Sequence, residues 1–247
     1  MRRMKQLALV FSDTEGNRWG GKRAGAGRKP ARGRKSVPHN ARPRLASRFP
    51  VHVTTRIRDE VPRLRNRQRC GVIRQAMFQV MDEAGFRICQ FSVQQSHLHL
   101  VCEAKSSAAL ARGIKRFKTR LARGLNRLLA RKGSVFSDRY HMQILTTPRQ
   151  TRNCVAYVMQ NARRHGVALP TYAGGVDPYS SAWWFSGWRD DHWRRGLSPP
   201  EGGTCVSPAG TWLLDTGWRR YGLVRVDETP AAGSAPAKPP RRTAVCA

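Results

Sequence analysis

The feature that most restricts the fold of this chain is an apolar pattern with helical spacing between residues 110 and 128. Six large apolar residues follow one another at intervals of three or four: Leu110, Ile114, Phe117, Leu121, Leu125 and Leu128. This spacing places them on one stripe of an α-helix, while Arg and Lys occupy the other faces. Gly133 ends the region. The pattern predicts a long amphipathic helix whose apolar side is buried against the domain.

Four shorter patterns precede this helix. Residues 51–55 alternate apolar and polar side chains, which predicts a strand. Apolar residues within 69–84 have helical spacing, and Gly85 follows them as a stop signal. Residues 86–93 and 97–103 are two β-rich runs separated by three polar residues, an arrangement typical of a hairpin. The order up to this point is therefore β-α-β-β.

Two further elements follow the long helix. Residues 140–146 predict a fourth strand, and Thr147-Pro148 opens a third helix that runs to about Arg164. The complete order is β-α-β-β-α-β followed by a helix. This order favours an α+β fold, a ferredoxin-like split β-α-β sheet with helices on one face.

The charge of the chain indicates its partner. The sequence holds 46 Lys and Arg against 15 Asp and Glu, a formal net charge of +31, and the excess lies in the first 170 residues. Such a chain repels itself unless a polyanion neutralises it, so we expect a nucleic acid as partner. No apolar run approaches the ~20 residues of a membrane-spanning helix, so no membrane association is expected.

The six cysteines argue against two classes of small domain. They are scattered through the chain, and no two of them are spaced as Cys-x-x-Cys. A zinc ribbon is therefore not expected, and a disulfide scaffold is not expected in a chain with no secretory signal. Reduced thiols in a cytoplasmic, nucleoid-associated protein fit the composition.

Composition divides the chain into four parts. Residues 1–48 form a basic, largely disordered arm, and residues 49–170 carry the predicted elements. Residues 171–228 are a Trp-rich appendage that folds on the domain or stacks bases, and residues 229–247 are a disordered tail. The candidate DNA-binding residues of the arm are Arg28, Lys29, Arg32, Arg34 and Lys35. They resemble an arm that lies in the minor groove, although a solvated basic tail has the same composition.

The sharpest local feature is His97-Leu98-His99. On a strand, residues i and i+2 point to the same face, about 6–7 Å apart, so both imidazoles project together. Two such histidines make a partial metal site. The alternative is two unrelated polar residues on a solvated sheet face.

Tyr157 and Asn161 form a second candidate pair. Residues i and i+4 share one face of a helix, so a phenolic nucleophile and an amide oxygen ligand could serve one site. Packing is the alternative role for a helical tyrosine. Tyr140 is the competing nucleophile, but it lies at the entrance of a strand without a helical companion.

Taken together, these features resemble one protein family. The order and spacing of residues 95–99, 116–126, 135–141 and 156–166 are similar to those of the single-tyrosine HUH transposases, in particular the REP-associated tyrosine transposases. HUH denotes His-hydrophobe-His, which His97-Leu98-His99 matches. The resemblance covers about residues 51–166 and extends weakly to 177–181. The family often has Asn before the first histidine, where this chain has Ser96.

The resemblance implies a mechanism and a substrate. His97, His99 and Asn161 would hold Mg²⁺ or Mn²⁺, and Tyr157 would attack single-stranded or hairpin DNA to give a 5′-phosphotyrosine. The expected DNA contacts outside the arm are Lys115, Arg116, Lys118, Arg120, Arg163 and Arg164, which could also form merely solvated helix faces. Members of the family act as monomers or homodimers. A non-catalytic, domesticated nucleic-acid-binding protein is the alternative that the sequence leaves open.

Overall fold

A computed structural model describes residues 42–81, 83–170, 174–200 and 202–230. Its centre is one four-stranded antiparallel sheet in the order β2-β3-β1-β4. The strands are β1 (Val51–Arg56), β2 (Phe86–Val93), β3 (His97–Ala104) and β4 (His141–Ile144). This strand order, with one helix in each crossover, is the ferredoxin-like arrangement expected from the sequence. The predicted fold class is confirmed.

Both crossover helices pack on the same face of the sheet. They are α1 (Arg67–Phe78) and α2 (Ser107–Leu128), each begun by a side-chain cap, Asn66 for α1 and Ser106 for α2. The apolar stripe of α2 is fully buried from Leu110 to Leu125, and only its last member, Leu128, is exposed. These residues form one core with the inward side chains of β1, β2 and β3. The long helix therefore packs through the stripe predicted for it.

Helix α1 is shorter than predicted. It ends at Phe78 rather than at residue 84. Beyond that point the backbone winds more tightly, because the amides of Val80 and Met81 bond to carbonyls three residues earlier. Gly85 has a φ of 72° and forms the turn into β2 instead of capping the helix. The apolar residues beyond Phe78 therefore belong to this turn.

The third helix is broken in two, and it covers the other face of the sheet. Helix α3 (Pro148–Met159) is followed, after one non-helical residue, by the single turn α4 (Asn161–Arg164). At the break, the buried side chain of Gln160 donates from Nε2 to the carbonyls of Arg225 (2.7 Å) and Val226 (2.9 Å). The sequence predicted one continuous helix because these partners lie more than 60 residues further along the chain.

Residues 174–200 and 202–230, here called the C-terminal segment, pack with α3 on this second face. The helical parts of the segment are short turns: the 3₁₀ turns Ala182–Trp184, His192–Arg194 and Gly217–Tyr221, and α5 (Trp212–Asp215). Trp188 and Trp218 are buried, and both rings pack against Phe185 at centroid distances of 5.3 and 5.7 Å. Trp212, in contrast, is exposed. Packing is therefore the role of the buried indoles.

Buried polar groups fix the C-terminal segment to the domain. Arg65 forms a bidentate ion pair with Asp177. Both N···O distances are 2.9 Å, and both side chains are buried. Ser181 Oγ accepts a hydrogen bond from the amide of Phe91 on the edge strand β2. The carboxylate of Glu103 accepts hydrogen bonds from the amides of residues 210 and 211. The edge strand β2 is covered by backbone hydrogen bonds to the same segment, from the amide of Val93 to the carbonyl of residue 179 and from the amides of residues 181 and 207 to the carbonyls of Phe91 and Ile88.

The end of the predicted arm is part of the folded domain. Leu45 is buried in the core, and its amide donates to Ser107 Oγ at the start of α2. Leu45 therefore packs on the domain within the range expected for the arm, whereas residues 43, 44, 47 and 48 are exposed. The candidate DNA-binding residues Arg28, Lys29, Arg32, Arg34 and Lys35 lie outside the described residues, as does the tail from residue 231.

The expectations about the cysteines and about membrane-spanning helices concern the described part of the chain as follows. Its five cysteines are all buried and unpaired. In the same residues, none of the helices is long and apolar enough to cross a membrane.

Candidate active site

The register of the sheet assembles the histidines. On β3, His97 lies opposite Arg56 and His99 lies opposite Thr54 of β1. The alternate residues Leu98 and Leu100 point into the core beneath α2 and are fully buried. Because side chains alternate along a strand, both imidazoles lie on the opposite face, which α3 covers.

The two imidazoles converge on one point. Nε2 of His97 lies 3.0 Å from Nε2 of His99. Nδ1 of His99 lies 3.1 Å from Nε2 of His52 and 3.2 Å from Oγ1 of Thr54. If His99 carries its proton on Nδ1, it donates to these acceptors and leaves Nε2 with a free lone pair. The residues of β1 thus orient His99 as a ligand.

Burial keeps this cluster uncharged. Desolvation lowers the pKa of His97 to about 4, with smaller contributions from His165 and Arg56. Burial likewise lowers the pKa of His52 to about 3 and that of His99 well below its ordinary value. Neutral imidazoles are the form of histidine that can bind a cation.

Tyr157 faces the histidines from α3. Its ring centroid lies 5.1 Å from that of His99 and 6.0 Å from that of His52, in edge-on contacts. The guanidinium carbon of Arg164 lies 5.5 Å from the centre of the same ring. The structure therefore brings His97, His99 and Tyr157 together.

Tyr140, the competing tyrosine, lies on the other side of the sheet. It precedes β4 and packs with the core beneath α2. Burial raises the pKa of Tyr140, although the nearby Arg42 opposes the shift. A raised pKa disfavours the phenolate, so both position and environment argue against Tyr140 as a nucleophile.

The spacing of the histidine pair matches two adjacent positions around an octahedral cation. Two ligand atoms 3.0 Å apart subtend about 90° at an ion whose bonds are about 2.1 Å, which is the angle of adjacent octahedral positions. No cluster of three or more His, Cys, Asp or Glu side chains suited to a metal occurs among the described residues. A third protein ligand of another type, such as an amide oxygen, would complete the pair.

Asn161 is of the required type. Its side chain is fully buried, and both Oδ1 and Nδ2 have no hydrogen-bond partner among the described residues. An amide left in this way is costly unless a ligand completes it. The break at Gln160 separates Asn161 from the helix of Tyr157, however, so the shared-face argument made from the sequence no longer applies directly.

Three residues near the histidine pair escaped the sequence interpretation. In the sequence, His52 and Thr54 are the polar residues that alternate with apolar ones in the predicted first strand. His165 comes directly before Gly166, in the pair of residues that was expected to end the third helix. The charge of His165 contributes to the lowered pKa of both His97 and His99. The alternation of His52 and Thr54 with apolar valines indicates that both side chains lie on the non-core face of β1. It does not indicate that β3 and its histidines lie beside them, because that depends on the order of the strands in the sheet.

The predicted DNA-binding residues of α2 have different surroundings: Lys115, Arg116, Lys118 and Arg120. Lys115 is exposed and lines a cavity beside Lys118, whose Nζ donates to the carbonyl of Asp138 at 2.9 Å. Arg116 forms an ion pair with Glu83, and Arg120 donates to the side chain of the residue after α1. All four lie on the face of the sheet opposite the histidines.

The two arginines of α4 lie nearer to the tyrosine. Arg163 donates from Nη2 to the carbonyl of Gly175 at 3.0 Å, which connects α4 to the C-terminal segment. Arg164 lies over the Tyr157 ring, as described above. Of the two, Arg164 is the better placed for a phosphate beside the tyrosine.

Parts of this chain are similar to known proteins. Residues 46–161 match the family model described as "Transposase IS200 like". The chain is similar to a solved structure of a REP-associated tyrosine transposase bound to a REP hairpin, with 16% identity and a TM-score of 0.49, over 71% of this chain and 96% of that one. It is also similar to a crystallised transposase candidate from Deinococcus radiodurans R1, with 13% identity and a TM-score of 0.34, over 46% and 87%. No curated protein matches the sequence.

Proposed function

We propose that this protein, whose residues 46–161 match the IS200-like transposase family model, cleaves and rejoins single-stranded or hairpin DNA through Tyr157. The observation that carries the proposal is the contact between the Tyr157 ring and His99, whose Nε2 lies 3.0 Å from that of His97. A nucleophile beside a two-histidine cation site is the arrangement that phosphodiester cleavage needs.

In the proposed reaction Tyr157 Oη attacks the scissile phosphorus. A P–O bond to the tyrosine forms while the bond from phosphorus to the 3′ oxygen breaks. The phenol gives up its proton to solvent or a nearby base, and the departing 3′ oxygen takes one up to become a hydroxyl. Attack by a 3′-hydroxyl on the phosphotyrosine reverses these steps and rejoins a strand, so no nucleotide cofactor is consumed.

The chain supplies the groups that position this chemistry. His97, His99 and Asn161 would hold Mg²⁺ or Mn²⁺, which when bound neutralises charge on the phosphate. His52 and Thr54 keep the ring of His99 oriented through its Nδ1. Arg164 offers positive charge beside the phenol ring.

A covalent-adduct assay tests the proposal. Hairpin oligonucleotides with short randomised flanks are labelled at the 3′ end, because a 5′-phosphotyrosine retains the 3′ fragment. With Mn²⁺, the wild-type protein should give a labelled band that survives denaturation, and chelation of the metal should abolish it. Tyr157→Phe should give no band, while Tyr221→Phe, which changes an exposed tyrosine elsewhere, should give the normal amount.

Two outcomes would overturn parts of the proposal. A wild-type protein that forms no adduct would leave only the non-catalytic DNA-binding alternative. An adduct that persists in Tyr157→Phe and disappears in Tyr140→Phe would transfer the nucleophile to the other face of the sheet.

A further inference from the structure

A second candidate site lies on the opposite face of the sheet, between α2 and the segment that leads into β4. This cavity has a volume of about 430 Å³. Its apolar and aromatic lining includes Ile114, Phe136 and Tyr140. Its cationic lining residues are Arg42, Lys115, Lys118 and Arg139, and no Asp or Glu lines it.

The wall of the cavity is held in place before any ligand arrives. Asn126 Nδ2, near the end of α2, donates to the carbonyl of Gly133 at 2.9 Å. Arg131 donates to Asn126 Oδ1 at 2.9 Å and to the carbonyl of Ser134 at 3.3 Å. Phe136 forms an isolated antiparallel β-bridge with Ile57, which follows β1 directly. A preformed wall lowers the entropic cost of binding.

The cations at the cavity lie directly against its aromatic rings. The guanidinium carbon of Arg42 is 3.5 Å from the centre of the Tyr140 ring, and Lys118 Nζ is 4.3 Å from that of Phe136. Burial lowers the pKa of Lys118, and Arg42 adds to this shift while Asp138 opposes it. An anion in the cavity would offset this desolvation. The lining therefore suits a ligand with a flat apolar part and a negative charge.

An unpaired nucleotide has this combination. Bases stack on aromatic side chains without regard to sequence, while Lys and Arg hold the phosphates on either side. The volume falls within the range of pockets that enclose small ligands. A patch that only attracts phosphate would not need two aromatic rings beneath its cations.

We propose that this cavity binds one unpaired nucleotide of the DNA substrate. Its base would stack on the faces of Phe136 and Tyr140 that Lys118 and Arg42 cover in the free protein, and these side chains would turn outward to hold its phosphates. The proposal rests on the proposed function for the identity of the polymer. In this proposal Lys115 and Lys118 bind the phosphates of one particular nucleotide and not the DNA backbone in general.

Binding measured without cleavage tests this site. In the Tyr157→Phe background and without metal, we compare a fluorescent 20-nucleotide oligothymidylate with an abasic strand of the same length by anisotropy. The parent protein should prefer the oligothymidylate by about tenfold, since stacking of one base contributes about 1–3 kcal/mol. Phe136→Leu, which keeps apolar volume but removes the ring, should reduce the preference to less than about threefold.

A matched substitution and a cross-link complete the test. Phe78→Leu makes the same change at an exposed phenylalanine outside the cavity and should leave the preference intact. Oligothymidylate carrying 5-iododeoxyuridine should cross-link to Phe136 or Tyr140, which trypsin releases on separate peptides by cutting after Lys132 and Arg139. The cross-link uses the unaltered cavity, so it decides the question even if Phe136→Leu fails to fold.

Three results would overturn the proposal: equal binding of the two strands, an unchanged preference in folded Phe136→Leu, or cross-links confined to other residues. None of these results depends on strand cleavage. A protein that forms the tyrosine adduct but shows no base preference would therefore lose this site and keep the proposed function.

Discussion

Adding one methyl group at each of two helical glycines tests how closely α2 packs on the sheet. Gly71 lies on the exposed side of α1, and a Cβ built there meets no atom within 4 Å. Gly113 is buried in α2, and a Cβ there would lie 2.2 Å from two ring carbons of Phe86. The same substitution, glycine to alanine, should therefore have opposite effects at the two positions.

The magnitudes follow from two opposing effects. Alanine favours a helix over glycine by about 1 kcal/mol, which is the whole effect expected for Gly71→Ala. Carbon atoms in contact normally lie about 3.5–4.0 Å apart, so the ring of Phe86 must move by more than 1 Å in Gly113→Ala. Overpacking of this kind costs about 1–3 kcal/mol, and the buried ring points to the upper end. We expect Gly113→Ala to lose about 2 kcal/mol after the helical gain is subtracted.

Urea unfolding followed by tryptophan fluorescence measures both variants. The free energies of unfolding should differ by about 3 kcal/mol between them. Replacing Phe86 with leucine in the Gly113→Ala background should recover part of the loss, because the two residues are in contact. A Gly113→Ala protein as stable as wild type would refute the close approach of α2 to β2, and a destabilised Gly71→Ala would refute the assignment of its surface.

Three further predictions concern charges and the metal. Asp177→Asn should lower the free energy of unfolding by about 3 kcal/mol, because it leaves Arg65 buried without its counter-charge. Asp59→Asn, in an exposed ion pair, should lower it by less than about 1 kcal/mol. Equal losses of stability in the two variants would contradict the burial of the Arg65–Asp177 pair. As the pH falls from about 6.5 to 4, the free energy of unfolding should decrease, because the unfolded chain takes up protons at His97, His52 and His99 before the folded one does. In urea titrations His97→Gln should reduce this pH dependence, and His52 and His99 should retain part of it. Mn²⁺ at about 100 times its Kd should stabilise the wild type by about 2.7 kcal/mol. In thermal melts His97→Ala should lose this effect and His192→Ala should keep it, and a shift that survives in His97→Ala would place the metal elsewhere.

The elements that the sequence predicted well are those whose signals are local. The spacing from Leu110 to Leu125 defines α2 without knowledge of any partner, and Thr147-Pro148 marks the start of α3 by its own capping chemistry. The alternation around Val51 likewise defines β1. From these patterns the order of elements, and hence the strand order, could be predicted by the rules of connection alone.

The features that the sequence did not predict depend on residues distant along the chain. The break at Gln160 accompanies hydrogen bonds from its side chain to carbonyls of residues 225 and 226. His52 becomes a partner of His99 only because β1 lies beside β3 in the sheet. No spacing within β1 or α3 contains this information, and the site predicted from the sequence therefore lacked His52, which lies beside His99.

The division of the molecule into two faces restricts the kind of DNA that can use both of its sites. The histidines and Tyr157 lie on one face of the sheet, whereas the cations of α2 and the nucleotide cavity lie on the other. The faces meet where β1 ends, because Arg56 pairs with His97 and its carbonyl accepts a hydrogen bond from the amide of Ser137, beside the cavity. A strand that reaches both sites must bend sharply around this end of the sheet. Duplex DNA, with a persistence length of about 150 base pairs, resists such a bend, while an unpaired strand does not. If both proposed sites act on one substrate, we therefore expect an unpaired segment next to the cleaved bond, with any hairpin stem on one face.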